Sequence, residues 1–475
     1  PPMASANVSF DNIPASIRKP GKYFEFNTKL AVRTLATNPQ TVLIVAQKTA
    51  DGTATENVPV QVFDTDTAGK LFGFGSQAAN MVKAAMRAYS YVDLSVLPIT
   101  DDSAGIAASG SLKLTGDATA QGVLTLTVAD TEISVAAAAE DSADALATAL
   151  AAAVNAERDL PVTAQAATGT VTLTAKNKGT LGNGIALAYS NTVPGITPTL
   201  TKMTGGQKDP DIAEALAAVF ASEYTIYCVP WAVQAPLTAL REHLDNMGGP
   251  LEQRGAIGVF ASTGTLSAAT TLAGQLNAGR ITGALLPGST TPPEQIAAAY
   301  AAVLASEEDP ARPLNTLSLT GVTVPPVASR LGRTEQEVCL KNGVTPLEAG
   351  PGDVVQIVRA ISTYTVNAEG TADVSLLDIT TIRTLDYVRK AIRERMSLRF
   401  PREKLSTRTP PKVRSEILDV LRGLESLEIV EEVDANADGV VVERDLQDAN
   451  RLNAKIPTDV VNGLHVFAGR IDLLL

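Results

Sequence analysis

An α/β rhythm that breaks off near Gly105 and resumes at Asp209 is the feature that most restricts how this chain can fold. Thr41 to Gln47 reads TVLIVAQ, a short β-branched run that predicts a buried strand. Ala78, Met81, Val82, Ala85 and Met86 then recur at helical spacing, and residues 91–98 make a second strand. Strand, helix and strand in that order seed a parallel or mixed sheet with helices on its faces. After Asp209 the alternation returns. It gives a helix ending at Ala221, strands over 224–228, 256–260 and 281–286, and helices over 236–246, 267–276 and 293–304.

Between about 105 and 206 the composition shifts to Thr, Ala and Gly, with Tyr189 as the only aromatic residue. Alternating pieces such as Val123-Leu-Thr-Leu-Thr-Val128 and Val171-Thr-Leu-Thr174 predict strands, and residues 142–155 an Ala-rich helix. Because the α/β rhythm flanks it on both sides, the stretch is expected to be an inserted domain. After Pro310 the pattern is α+β. A long helix is expected over about 379–400, with Leu385, Val388, Ile392 and Met396 on its apolar face, and another over 413–427 after Pro410-Pro411 closes the preceding segment.

The two ends differ from this body. Residues 1–40 scatter Val8, Phe10, Ile13, Phe24 and Phe26 among Pro, Asn and Lys without a period, which predicts an extended arm. Residues 460–475 read as an apolar strand that must pair with something, in the same subunit or another. The expected organisation is therefore a multidomain α/β and α+β chain. It has an arm at 1–40, an α/β core at 41–104 and 207–310, an inserted β-rich domain at 105–206, an α+β domain at 311–459 and a C-terminal strand or arm at 460–475. That agrees with the two to four domains that 475 residues allow.

Charge and chemistry narrow the function classes. The net charge of −12 argues against a surface that tracks nucleic acid or anionic membrane. Residues 1–30 are polar and contain Pro2, Pro14 and Pro20, so export by a signal peptide is not expected, and no apolar run predicts a membrane span. Cys228 and Cys339 lie far apart, giving neither a disulfide framework nor a zinc site. No G-x-S-x-G and no P-loop is present; His243, on a polar helix face near Glu242 and Asp245, and His465 read as structural or surface residues.

Two motifs keep other classes open. Gly73-Phe-Gly-Ser-Gln-Ala78 matches G-x-G-x-x-A ahead of a helix, so a cofactor-binding α/β enzyme is one alternative, although the buried strand and ribose-binding acid of a dinucleotide site are missing. Asp434-Ala-Asn-Ala-Asp-Gly439 with Asp445 has the spacing of a calcium loop, so a calcium-binding surface or adhesion module is another; a polar turn is the plainer reading. Neither motif assigns a catalytic, cofactor or metal residue. The charge distribution is more unusual: residues 383–414 hold eleven Lys and Arg against three acids, a local +8 that leaves −20 on the rest. Such a face suits docking onto an acidic partner.

Four segments taken together resemble the tail sheath protein of Mu-like contractile phages. They are Leu71-Phe-Gly-Phe-Gly-Ser-Gln77, Lys178-Gly-Thr-Leu-Gly-Asn-Gly-Ile185, Leu376-Leu-Asp-Ile-Thr-Thr-Ile-Arg-Thr-Leu-Asp-Tyr-Val-Arg389 and Val460-Val-Asn-Gly-Leu-His-Val-Phe467. The resemblance implies a non-enzymatic structural subunit without cofactor. It would polymerise helically with itself around a tail tube protein, between baseplate and tail terminator, in the virion tail after assembly in the host cytoplasm. It implies a subtilisin-like but non-catalytic core, an outward-facing insertion, and an inner domain that meets the tube through a helix. Arg383, Arg389, Lys390, Arg393, Arg395 and Arg399 are the tube-facing candidates. It also implies arms exchanged between subunits, for which Val8, Phe10, Leu464, Val466, Phe467, Ile471 and Leu473 are the candidates.

Overall fold

The computed structural model describes residues 18–22 and 37–473. The arm expected at 1–40, with Val8 and Phe10, lies mostly outside the described residues.

An eight-stranded sheet organises the body. Its first part runs β1 (Thr41–Gln47), β2 (Val60–Gln61), α1 (Thr65–Phe72), α2 (Gln77–Ala88) and β3 (Asp93–Ile99). After an excursion of β4 (Ser109–Thr115), β5 (Gly122–Val128), β6 (Thr131–Ala137), α3 (Ala143–Ala156), β7 (Val162–Ala167), β8 (Thr170–Ala175), β9 (Leu187–Asn191) and β10 (Thr197–Thr204), the chain returns to the sheet. It continues as α4 (Ala213–Ala218), β11 (Ile226–Cys228), α5 (Gln234–Gly248), β12 (Ile257–Ser262), α6 (Leu266–Leu276), β13 (Ile281–Leu285) and α7 (Pro293–Ala305). Then follow α8 (Arg333–Lys341), β14 (Thr345–Gly350), β15 (Val354–Ile357), α9 (Ile379–Arg399), α10 (Thr409–Glu425), β16 (Val430–Glu431), β17 (Val441–Arg444), β18 (Leu452–Lys455) and β19 (Asp459–Val460).

The strand order is β15-β14-β13-β12-β11-β1-β3-β2. From β14 to β3 all neighbours are parallel, and β15 and β2 close the edges antiparallel. Helices cover both faces, which explains why Val42 to Ala46 is an unbroken apolar run: every one of its side chains is buried. On one face α2 and α7 pack together, and α7 is so enclosed that Ile296 to Leu304 is entirely core. Its Tyr300 hydroxyl meets Thr282 at 2.9 Å, which in turn meets Thr345 at 3.1 Å, so the polar groups between α7 and the sheet satisfy one another. The other face carries α5 over Tyr227, Trp231 and Phe260.

The excursion folds into two further sheets, β10-β4-β8-β7 and β6-β5-β9, which with α3 enclose their own apolar cluster. Ile106 pairs with Gln207 where it leaves and rejoins the body. Asp130 holds it to the body by accepting hydrogen bonds from Thr290 and Thr291, and Lys83 pairs with Asp159 at 2.8 Å.

Two sequence expectations shift. Pro410 and Pro411 do not end a segment; they occupy the first turn of α10, where a proline's missing N–H has no helical acceptor to leave empty. Of the expected apolar face of α9, Val388 is buried and Ile392 and Met396 pack partly buried against the same core, but the buried face is wider than that stripe. It is formed by Arg383, Thr384, Tyr387, Val388, Ala391 and Arg395, and Leu385 points outward.

Candidate assembly surfaces

Residues 461–473 form an uncovered apolar segment. The β19 strand pairs with β16 only at Asp459 and Val460, and the Val461 N–H reaches the Ile429 carbonyl at 3.3 Å. Beyond that, among the described residues, 461–473 form no strand, so the expected strand over 460–475 is not seen there. Leu464, Val466, Phe467, Ile471 and Leu473 are between 77% and 98% exposed. Large apolar side chains are seldom left in solvent at this density.

The basic stretch divides into a buried part and an exposed part. Arg383 and Arg395, both proposed for a docking face, are each only 8% exposed, so that placement is corrected. Arg395 pairs with Asp419 at 2.8 Å and Glu416 at 3.1 Å across the α9–α10 hairpin, and Arg383 donates to the Glu307 carbonyl at 2.6 Å. Arg389 is also committed, to Asp386 at 2.8 Å and to the Gly248 carbonyl at 2.7 Å, and Lys390 donates to the Thr37 carbonyl. A helix in a charged sequence still needs one face inward, and here basic residues tie it to the body. Arg393 and Arg399 are exposed, as are Arg402, Lys404 and Arg408 in the turn before α10 and Lys412 in its first turn.

Sequence reasoning missed the acid that anchors this helix. Asp386 accepts a bidentate pair from Arg280, at 2.6 and 3.0 Å, besides the bond from Arg389. A single acid one helical turn from Arg383 and Arg389 was the available signal.

The motifs that kept other classes open have structural roles. Gly73 and Gly75 adopt φ of +88° and +75° in the turn from α1 to α2, and a side chain on Gly75 would strike the Leu160 carbonyl of the excursion. The start of α2 is capped by Ser76, which takes the Ala79 N–H, its Gln77 N–H is taken by Asn177, and Lys176 donates to the Phe74 carbonyl. Two of the backbone donors at this helix start that a pyrophosphate would use, those of Gln77 and Ala79, are therefore already taken. In the calcium-like loop Asp434 pairs with Arg422 at 2.8 Å, whereas Asp445 takes backbone bonds from Gln447 and Asp448, so the carboxylates do not converge. Among the described residues no group of three or more His, Cys, Asp or Glu could hold a metal ion, and no helix is long and apolar enough to cross a membrane.

His243 is not on a polar face. It is buried, with its ring 5.2 Å from that of Tyr227 and 5.9 Å from that of Phe220, and burial pushes its pKa down to about 4. His465 lies 3.5 Å from Asp378, which is already paired with Arg359 at 2.7 Å.

One buried acid gives a measurable pH signature. Glu294, in the first turn of α7, has an Oε2 without a partner among the described residues and lines a small cavity with Gln47, Gln77, Asn80, Asn177 and Lys178. Burial pushes its pKa from 4.5 up to about 7, against a weaker opposing bond from its own backbone N–H. The folded chain thus holds this proton more tightly than the unfolded chain, and stability falls as pH rises from about 4.5 through 7. Glu294→Gln carries no charge and is expected to gain about 2–3 kcal/mol at pH 8 and almost nothing at pH 4.5. Urea melts at the two pH values check this; an equal gain at both would refute it.

Comparisons with known proteins share one theme. The family model of the phage tail sheath protein central domain matches residues 205–363, and that of the phage tail sheath C-terminal domain matches residues 371–473. A Mu-like prophage FluMu tail sheath protein of Haemophilus influenzae is 35% identical over 487 aligned residues, spanning 99% of this chain and all of the relative. Among solved structures, the crystal structure of a sheath tail protein from Desulfitobacterium hafniense aligns with a TM-score of 0.52 at 13% identity, over 94% of this chain and 97% of that one. The sheath complex of an extracellular contractile injection system in the contracted state aligns at 0.51 and 12% identity, over 97% and 98%.

Proposed function

The chain belongs to the phage tail sheath family, and from that premise we propose that it is the structural subunit of a contractile tail sheath that polymerises helically around a tail tube and shortens to drive the tube through the host envelope. The full-length identity to the FluMu tail sheath protein carries this reading.

The same reading assigns parts. The excursion of β4 to β10 is an inserted domain facing outward, and the eight-stranded sheet is a subtilisin-like core without catalytic machinery. Residues 311–459 form the inner domain. Its tube-facing charge lies on the exposed remainder of the basic stretch: Arg393, Arg399, Arg402, Lys404 and Arg408. Exposed pairs contribute only ~0–1 kcal/mol each, so many such contacts hold a tube yet release together. Residues 1–40 and 461–473 are arms that pair with neighbouring subunits. Tube protein, baseplate and tail terminator are the partners, and the tail of the virion is the destination after assembly in the host cytoplasm.

The contraction energy comes from greater burial between subunits in the contracted lattice, without nucleotide hydrolysis. Negative-stain electron microscopy of the full-length protein over a concentration and salt series is expected to show striated hollow tubes whose shortening does not require ATP. A monodisperse globule under every condition, with and without tube protein, would overturn the reading, and ATP-dependent shortening would overturn its energetics.

A further inference from the structure

A cavity of about 190 Å³ lies where α9 meets the leading ends of the sheet. It is lined by residues 38–41 and 253–257, which lead into β1 and β12, and by Glu223 to Thr225 before β11. Four basic side chains contribute to its wall, those of Arg254, Arg383, Lys390 and Arg393, against two acids, Glu223 and Asp386. Asp386 is already committed to Arg280 and Arg389. The local balance is therefore positive.

Two of the guanidinium groups keep a buried donor without an acceptor. Arg383 is more than nine-tenths buried and donates through Nη2 to the Glu307 carbonyl, but its Nη1 has no partner among the described residues. Arg254 pairs with Glu252 at 2.8 Å and donates through Nη2 to the Phe220 carbonyl at 2.9 Å, leaving Nε unpaired. Burial pushes the Arg383 pKa down to about 10, which the charges of Glu307, Asp309 and Tyr300 only partly oppose. Buried donors without acceptors are costly, and more so when charged. Water in the cavity could satisfy hydrogen bonds but would add no negative charge against Arg383, which has no ion-pair partner among the described residues. An oxyanion satisfies both, since guanidinium donors match its oxygens in spacing and sign.

We propose that this cavity binds a small oxyanion of the phosphate class from solution, with Arg383 and Arg254 donating from the inner wall and Lys390 and Arg393 closing the outer side. The bound anion ties α9 to the leading ends of β1 and β12, reinforcing the junction between the sheet and the α9–α10 hairpin. The proposal does not rest on the sheath reading.

Isothermal titration calorimetry of the full-length protein with sodium phosphate, against sodium chloride at equal ionic strength, tests it. A saturable heat with phosphate alone is expected, together with a rise in melting temperature that sulfate reproduces. The double variant Lys390→Ala/Arg393→Ala removes two part-exposed or exposed charges from the outer side and is expected to weaken binding by about tenfold, the worth of one charge-assisted hydrogen bond. Arg383→Lys is expected to weaken it at least as much. If Arg383→Lys fails to fold, the outer-wall variant decides alone. No saturable heat, a response that chloride matches, or unchanged affinity in the outer-wall variant would overturn the proposal. Tube formation is read separately by microscopy, so failure here leaves the assembly reading standing.

Discussion

Truncation after Asn462 is expected to give a subunit that melts like the full-length protein but forms no tubes. The segment removed contributes little to its own subunit. The β16–β19 pairing ends at Val460, Arg470 bonds to neighbouring Asp472, and His465 approaches Asp378 of the body at 3.5 Å. Against that, five large apolar side chains stand almost wholly in solvent. Leu464 and Val466, like Ile471 and Leu473, are two residues apart, the spacing that puts side chains on one face of a strand. Buried against a neighbour, each contributes about 1.5–3 kcal/mol before the cost of association is counted. A ladder of backbone hydrogen bonds would accompany them. Phe467→Glu is expected to reproduce the assembly defect without the deletion. Sedimentation velocity and electron microscopy check both variants; normal tubes from either would refute the role of this segment, and a large fall in melting temperature would show that it belongs to its own subunit's fold.

The α/β body was legible in the sequence because its strands are buried on both faces. The run TVLIVAQ needs no partner to be recognised, and β1 spans those same seven residues. The helices of this region were placed within a few residues for a similar reason, since α5 and α7 carry enough apolar positions to show their period. What failed was inference about charge. A sequence shows that Arg383 and Arg395 lie in a basic run, but not that they share the inward face of α9 with Tyr387 and Ala391. Their burial depends on acceptors far away along the chain, the Glu307 carbonyl for one and Asp419 with Glu416 for the other. The terminal segment failed in the opposite sense. Its strand pattern was plain, yet a strand needs backbone alongside it, and among the described residues 461–473 pair with none.

Asp386→Ala is expected to cost about 3–5 kcal/mol, the range for breaking a buried ion pair from one side, and so to remove a large part of a stability of ordinary size. The Asp386 and Arg280 side chains are 16% and 11% exposed, so little solvent screens their contact. Without the carboxylate, Arg280 and Arg389 remain close together with no acid between them, and burial together with Arg280 already pushes the Arg389 pKa down. The surrounding backbone is shaped to this arrangement. A side chain on Gly255 would collide with the Asp386 carboxylate, and one on Gly248 would press on the Arg280 guanidinium. The double variant Arg280→Ala/Asp386→Ala should therefore cost less than the sum of the two single variants, because it removes the stranded charge along with its partner. Urea unfolding of the four proteins measures this; an Asp386→Ala cost below about 1 kcal/mol, or strict additivity, would sink the idea that one carboxylate anchors α9. Truncation is expected to separate assembly from stability, whereas loss of Asp386 should lower both together, since α9 carries the exposed basic side chains toward any partner and can present them only while it is held to the sheet.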